Sequence, residues 1–448
     1  MGSAIKVTFL LLVTFAITIP CLDAGIAELD DYLKAQAEEA HKIALETFVP
    51  NPEEITEDIN THVHRALQEY EEELANSTLT TRRGLGEKKK KKGPCEATNP
   101  IDRCWRCKAD WAEDRFRLAK CARGFGRKAT GGAGGRIYVV TDPSDNDMVS
   151  PKPGTLRHAA IQKGPVWIIF ERSMVITLNQ ELMVTSDTTI DGRGANVQIK
   201  GGAGITMQFV NNVIIHNLRM TKIVSKMGGL IRDNVDHIGF RTRSDGDAIS
   251  VYQSTNIWID HISLSDSEDG LVDVIQGSTG ITISNCHLTK HNDVMLLGAS
   301  DHFSDDKIMQ VTVAFNHFGQ GLIQRMPRVR WGFVHVVNND YTHWLMYAIG
   351  GSSGPTVLSQ GNRFIAPHND AAKEVTHRDY ASPDVWKNWQ WTSDQDHFMN
   401  GATFCQSGVP VKNLPYKKQF IMKPKPGIYA NRLTRHTGAL QCIVGRPC

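Results

Sequence analysis

Two short acidic motifs and a group of arginines carry the residues best suited to chemistry: Asp245-Gly-Asp247, Asp269-Gly-Leu-Val-Asp273 and Arg325-Met-Pro-Arg328-Val-Arg330. Carboxylates are hard oxygen ligands, and Ca²⁺ takes about six to eight of them at ~2.3–2.6 Å. Guanidinium groups recognise carboxylates through charge-assisted hydrogen bonds. Gathered in one groove, such a set suits a calcium-dependent enzyme acting on a polyanion. Taken singly, each motif is ordinary. Asp-Gly-Asp is a common turn, and an arginine serves equally well as a structural ion pair. The chemical reading therefore rests on elements that bring distant motifs together.

Extended segments would do this. Asp245 and Asp247 are two apart and Asp269 and Asp273 four apart, so on strands each pair would project from one side. A repeat supplies the stacking. Val311-Thr-Val-Ala-Phe-Asn316-His-Phe318, Val334-His-Val-Val-Asn-Asn339-Asp-Tyr341 and Val357-Leu-Ser-Gln-Gly-Asn362-Arg-Phe364 place Asn316, Asn339 and Asn362 at intervals of 23 residues, with Phe318, Tyr341 and Phe364 in the same step. A period of this size marks a solenoid or a propeller. Each unit holds short β-branched strands and Asn or Gly turns, with no room for a helix. This predicts an all-β parallel β-helix whose equivalent residues stack in ladders. An evenly stranded sandwich does not account for the equal intervals. The asparagines are then structural, bonding coil to coil. Weaker copies place Leu218, Ile262 and Cys286 at the asparagine position.

The remaining chain divides in four. Residues 1–24 have the layout of a secretory signal peptide: Lys6, an apolar run from Val7 to Ile19, then Pro20, Cys21 and small residues. That run is shorter than the ~20 residues a membrane span needs, and no later segment qualifies. Residues 25–79 read as a small α-helical extension and a separate piece. Ile26, Leu29, Leu33, Ala37, Ala40 and Ala44 recur at helical spacing, Pro50-Asn51-Pro52 interrupts, and Ile55, Ile59, Val63, Leu67, Tyr70 and Leu74 resume it. Residues 80–93, with Arg82-Arg83 and Lys88 to Lys92, form a basic linker, and 94–448 the main domain. A formal net charge of +2 is too small to imply nucleic acid as a partner, and none is expected. Nine cysteines less Cys21 leave eight in a disulfide-permitting compartment. Cys104 with Cys121 and Cys442 with Cys448 are the preferred pairs, and Cys104-Trp-Arg-Cys107 is read as structural and not redox-active. Asn76-Ser-Thr is a glycosylation sequon outside the main domain.

Several ordered motifs carry a resemblance. They are Asn99-Pro-Ile-Asp-Arg-Cys-Trp-Arg106, Gly154-Thr-Leu-Arg157, Trp167-Ile-Ile-Phe170, Thr189-Ile-Asp-Gly-Arg-Gly194, Asp245-Gly-Asp-Ala-Ile-Ser250, Trp258-Ile-Asp-His261, Val294-Met-Leu-Leu-Gly298 and Arg325-Met-Pro-Arg328. With them the chain resembles the plant pectate lyases, and within these the pollen and style type with a helical N-terminal extension. The resemblance implies a right-handed parallel β-helix, secretion to the plant cell wall, and Ca²⁺-dependent cleavage of α-1,4-linked polygalacturonate, the expected partner, by a monomer.

That substrate carries a carboxylate on every sugar. β-Elimination removes the proton at C5, beside the carboxylate, as the C4 oxygen leaves, so the carboxylate must first be neutralised. Asp245, Asp247, Asp269 and Asp273 are the candidate Ca²⁺ ligands. By the resemblance Arg325 is the proton-abstracting residue and Arg330 contacts the substrate carboxylate; Trp258-Ile-Asp-His261 serves packing. A cation ~4 Å from Arg325 at an effective dielectric of ~20 would contribute about 4 kcal/mol towards releasing its proton, an expectation of alkaline activity. Two departures stand out. Asp293 occupies the place where many members have a substrate-binding lysine, and Trp331 the place of a common histidine. A catalytically weak pectin-binding wall protein on the same scaffold is the alternative. A polygalacturonase ranks below both, because its Gly-His-Gly and Arg-Ile-Lys segments are absent.

Overall fold

The structure, a computed structural model, describes residues 30–83, 95–378, 381–409 and 423–448. The signal peptide at 1–24 and most of the basic linker lie outside these residues.

The described residues wind through three large parallel sheets of ten, nine and eight strands. In one coil, Asn211–His216 lies in the first sheet, Arg219–Ile223 in the second and Ile249–Tyr252 in the third. The next coil repeats the path with Thr255–Asp260, Ser263–Ser267 and Val272–Ile275, aligning Val213 with Ile257, Met220 with Leu264 and Ile249 with Val272. This is a parallel β-helix. Inward-facing Val, Ile, Leu and Met fill one continuous core along its axis.

The ladders follow the repeat. Asn316 donates its backbone N–H and side-chain amide to Asn339 Oδ1 at 2.9 and 3.0 Å, and Asn339 does the same to Asn362 at 2.8 and 3.0 Å. Phe318 stacks on Tyr341 at 4.4 Å and Tyr341 on Phe364 at 4.6 Å. The corner between the first and second sheets needs a left-handed residue. Asn217, His261, Asn285, Phe315 and Asn338 fill it with φ between 52° and 62°, and asparagine tolerates this conformation best among non-glycine residues.

The first sheet is covered on its outer face as well. Helix α1 (Asp31–Thr47) is capped by Asp30, whose side chain accepts from the Tyr32 and Leu33 N–H groups. Helix α2 (Pro52–Arg83) extends into the stretch expected to be linker. The two helices are not a separate piece. Ile59, Val63 and Leu67 of α2 are buried in one cluster with Trp105, Trp167, Trp258 and Phe315, and Leu33 and Ala40 of α1 pack with Phe209. Their apolar stripes find their partner in the β-helix, and polar contacts fix the docking: Val49 N–H donates to Gln310 Oε1 at 2.8 Å, and Asn60 donates to Gln360 at 3.0 Å.

Disulfides join Cys95 to Cys107, Cys104 to Cys121 and Cys442 to Cys448, with Cys286 and Cys405 free. Cys104 and Cys107 each bridge to another cysteine, so they form no dithiol pair. Among the described residues, no helix is long and apolar enough to cross a membrane.

Candidate active site

The third sheet presents the chemistry. Its register aligns Thr206, Ser250, Asp273, Leu296 and Arg328 in one row across successive coils. Asp273 thus sits two coils from Arg328, and Arg330 projects from the same strand, Arg328–Arg330. The other aspartates arrive differently. Asp245, Asp247 and Asp269 lie in the irregular segments leading into strands Ile249–Tyr252 and Val272–Ile275, and only Asp273 is in a strand. Strand parity therefore does not place the pairs; the corners of the coils do. Asp245 is exposed while Asp247 is buried, a difference that regular alternation would not give.

Burial dominates the electrostatics. It pushes Asp247 up to about 7, with Asp269 and Asp245 adding to the shift and hydrogen bonds from Ser250 and the Gly270 N–H offsetting part of it. Ser250 Oγ donates to Asp247 Oδ2 at 2.6 Å, and the Gly270 N–H to Oδ1 at 2.8 Å. Burial likewise raises Asp273 well above the ordinary carboxylate range, reinforced by Asp247 and Asp269. Asp269 is raised by burial and by Asp293. At both Asp269 and Asp273 the Arg325 guanidinium pulls the other way, so the acidic face and the arginine share one field.

Among the described residues, no three His, Cys, Asp or Glu side chains converge closely enough to cage a metal ion as they stand. The four aspartates form a carboxylate-lined face and not a finished cage. Its chemistry nevertheless fits a hard cation: oxygen donors whose mutual repulsion a divalent ion would relieve. Gly270 leaves the space between them. A Cβ there would lie 2.2 Å from Asp273 Oδ1 and 3.1 Å from Asp247 Oδ1.

Arg325 has φ +60°, the left-handed conformation that residues at other coil corners also adopt. Its Nε lies 3.1 Å from Asp293 Oδ1, yet the N–H finds no acceptor at hydrogen-bonding geometry, so the contact is an ion pair only. Three arginines neighbour one another here. Burial lowers the Arg330 pKa, and Arg328 and Arg325 lower it further, against an opposing pull from Asp301. Arg330 donates to Asp301 Oδ1 at 3.1 Å and to the Gly298 carbonyl at 3.0 Å. Neither acidic partner is signalled by the repeat. Asp293 was legible only as a departure, and Asp301 precedes Arg330 by 29 residues in coils of unequal length. Trp331 is packed away, donating to the Ser300 carbonyl at 3.3 Å beneath Lys307. His261 is fully buried far from this row, bonded to Asp102 and the Gly438 carbonyl at 2.7 and 2.9 Å. Asn76 is exposed on α2.

Comparison with known proteins agrees with this architecture. The family model described as "Pectate lyase" matches residues 126–419, and "Pectate lyase, N terminus" matches 25–85. A pectate lyase of Lilium longiflorum is 58% identical over 98% of this chain and 99% of its own length. Probable pectate lyase 7 of Arabidopsis thaliana is 55% identical over 97% and 98%. Among solved structures, the cedar pollen allergen jun a 1 superposes with a TM-score of 0.73 at 47% identity, over 76% of this chain and 99% of that one. A Xanthomonas campestris pectate lyase variant, 18% identical over 70% of this chain and 97% of that one with a TM-score of 0.50, shares the fold. The chain belongs to the pectate lyase family and is a polysaccharide lyase.

Proposed function

We propose that the protein is secreted to the plant cell wall, where as a monomer it cleaves α-1,4-linked polygalacturonate by Ca²⁺-dependent β-elimination. The observation that carries this reading is one face of the β-helix on which Asp247 lies in the field of Asp269 and Asp273, Arg325 acts on Asp269 and Asp273, and Arg330 stands near Arg325. Asp245, Asp247, Asp269 and Asp273 would hold Ca²⁺, which neutralises the uronate carboxylate and so acidifies the C5 proton. Arg330 binds and orients the substrate carboxylate through charge-assisted bonds. Arg325, deprotonated, takes the C5 proton, the released electron pair forms the C4=C5 double bond, and the C4–O bond breaks. The departing oxygen takes a proton from water, and the hydroxide so formed takes the proton held by Arg325, leaving a 4,5-unsaturated galacturonate end and regenerated base.

Incubation with polygalacturonate is expected to give ultraviolet absorbance that grows with added Ca²⁺ and stops with chelator. Arg325→Ala should slow product formation about 10²- to 10⁴-fold, the range for losing a proton-transfer group, while Ca²⁺ binding persists. A flat trace from folded, Ca²⁺-loaded protein that still binds polygalacturonate would instead favour the pectin-binding alternative. Saturated ends would indicate hydrolysis.

A further inference from the structure

The protein itself holds Arg330 on two sides. Nε donates to Asp301 Oδ1 at 3.1 Å, and Nη1 donates to the Gly298 and Ala299 carbonyls at 3.0 and 3.4 Å. A guanidinium has five N–H groups, and among the described residues these bonds leave the two on Nη2 for a carboxylate. The loop that carries the acceptors is anchored in turn. Fully buried Asp306 accepts from the Ala299 N–H at 2.7 Å and from the Gly277 N–H at 2.6 Å, while a Cβ at Gly298 would lie 2.5 Å from the Arg330 carbonyl oxygen. Asp301 also joins two coils. The register aligns Arg330 with Ser352 of the next coil, and Ser352 Oγ donates to the same Asp301 Oδ1. Against partial burial, hydrogen bonds from Ser352 and Ser353 and the charges of Arg330 and Arg328 hold the Asp301 carboxyl below its usual range, so it remains an anion.

Resting on the lyase reading above, we propose that Asp301 is a positioning residue that fixes the plane of the Arg330 guanidinium, so that Nη2 is presented to the uronate carboxylate. Without Asp301 only the two carbonyls hold the group, both through Nη1, and the plane can turn about that nitrogen. Aim matters more as the reaction proceeds. The electron pair released from C5 spreads into the carboxylate in the transition state, so a well-aimed cation stabilises that state more than the bound substrate.

The test measures kcat and KM on polygalacturonate at saturating Ca²⁺, read as unsaturated product, for the parent, Asp301→Asn and Asp301→Ala. A second measurement takes the affinity of each Ca²⁺-loaded protein for a short galacturonate oligomer. The Asp301 side chain is 35% exposed, so both variants should melt where the parent does. Asp301→Ala should lower kcat/KM about a hundredfold, the scale of a misplaced contact to a reacting group, with most of the loss in kcat. Asp301→Asn, which keeps an acceptor for Nε but no charge, should lower it about tenfold. Oligomer affinity should fall about tenfold in Asp301→Ala, yet stay within about twofold when the same substitution is added to Arg330→Ala, because the effect passes through that side chain. An equal loss of affinity with and without Arg330, or kcat/KM within about twofold of the parent in both variants, overturns the positioning role while leaving the lyase reading intact. A parent that yields no unsaturated product overturns both.

Discussion

Asp247 shows how burial prepares a cation site. Its carboxylate titrates near 3.8 in the unfolded chain and near 7 in the folded, metal-free chain. The folded state therefore holds the extra proton between these values. The stability associated with that proton is complete below the unfolded value and is lost as pH rises through the folded value. In chelator, Asp247→Asn should match the parent near about pH 4 and exceed its melting temperature by several degrees near about pH 8. Added Ca²⁺ should raise the parent at the upper pH and leave the variant nearly unchanged, because a bound ligand stabilises only the state that binds it. Equal melting temperatures in chelator at both pH values would remove the buried-carboxylate account. The residue types named this chemistry. The burial behind it came from the coil corner, with Gly270 lying against both Asp247 and Asp273.

The asparagine ladder is where an element turns sequence periodicity into stability. Asn339 accepts from the Asn316 N–H and side-chain amide, and donates to Asn362 Oδ1 and the Val313 carbonyl, all while fully buried. Asn339→Ala would leave the Asn316 N–H without its acceptor. Each buried orphan costs about 1–3 kcal/mol, so a loss near 3 kcal/mol is expected in denaturant unfolding. A loss below about 0.5 kcal/mol, the scale of a surface substitution, would mean the ladder is decorative. This element was readable because identical side chains recur at identical intervals. The acidic motifs lacked such a period, and their side chains are aimed by irregular corner segments that alternation does not describe.

At the scale of the molecule, the N-terminal helices form part of the β-helix exterior. The first sheet buries Trp167 and Trp258 beneath a layer that includes α2, and Val63 at its centre is fully buried. Val63→Asp would place an unpaired charge in that layer, a change that costs several kcal/mol unless the helix moves away. The expected result is release of α2, seen as new protease cleavage within residues 52–76 and a lower melting temperature. An unchanged cleavage pattern would show that the helix is held otherwise. The amphipathic spacing of Ile59, Val63 and Leu67 revealed a face in need of a partner. It did not identify that partner, since an apolar stripe is completed equally well by a second helix or by a sheet.

The sequence alone determined the solenoid, because coil-to-coil stacking repeats the same side chains at a fixed step, and it determined which residues have the oxygen and guanidinium groups for the chemistry. Tertiary structure alone decided how those groups are charged and paired. Asp293 meets Arg325 and Asp301 meets Arg330 across coils of unequal length. Such contacts depend on the path of each corner through space, and no interval along the chain encodes that path.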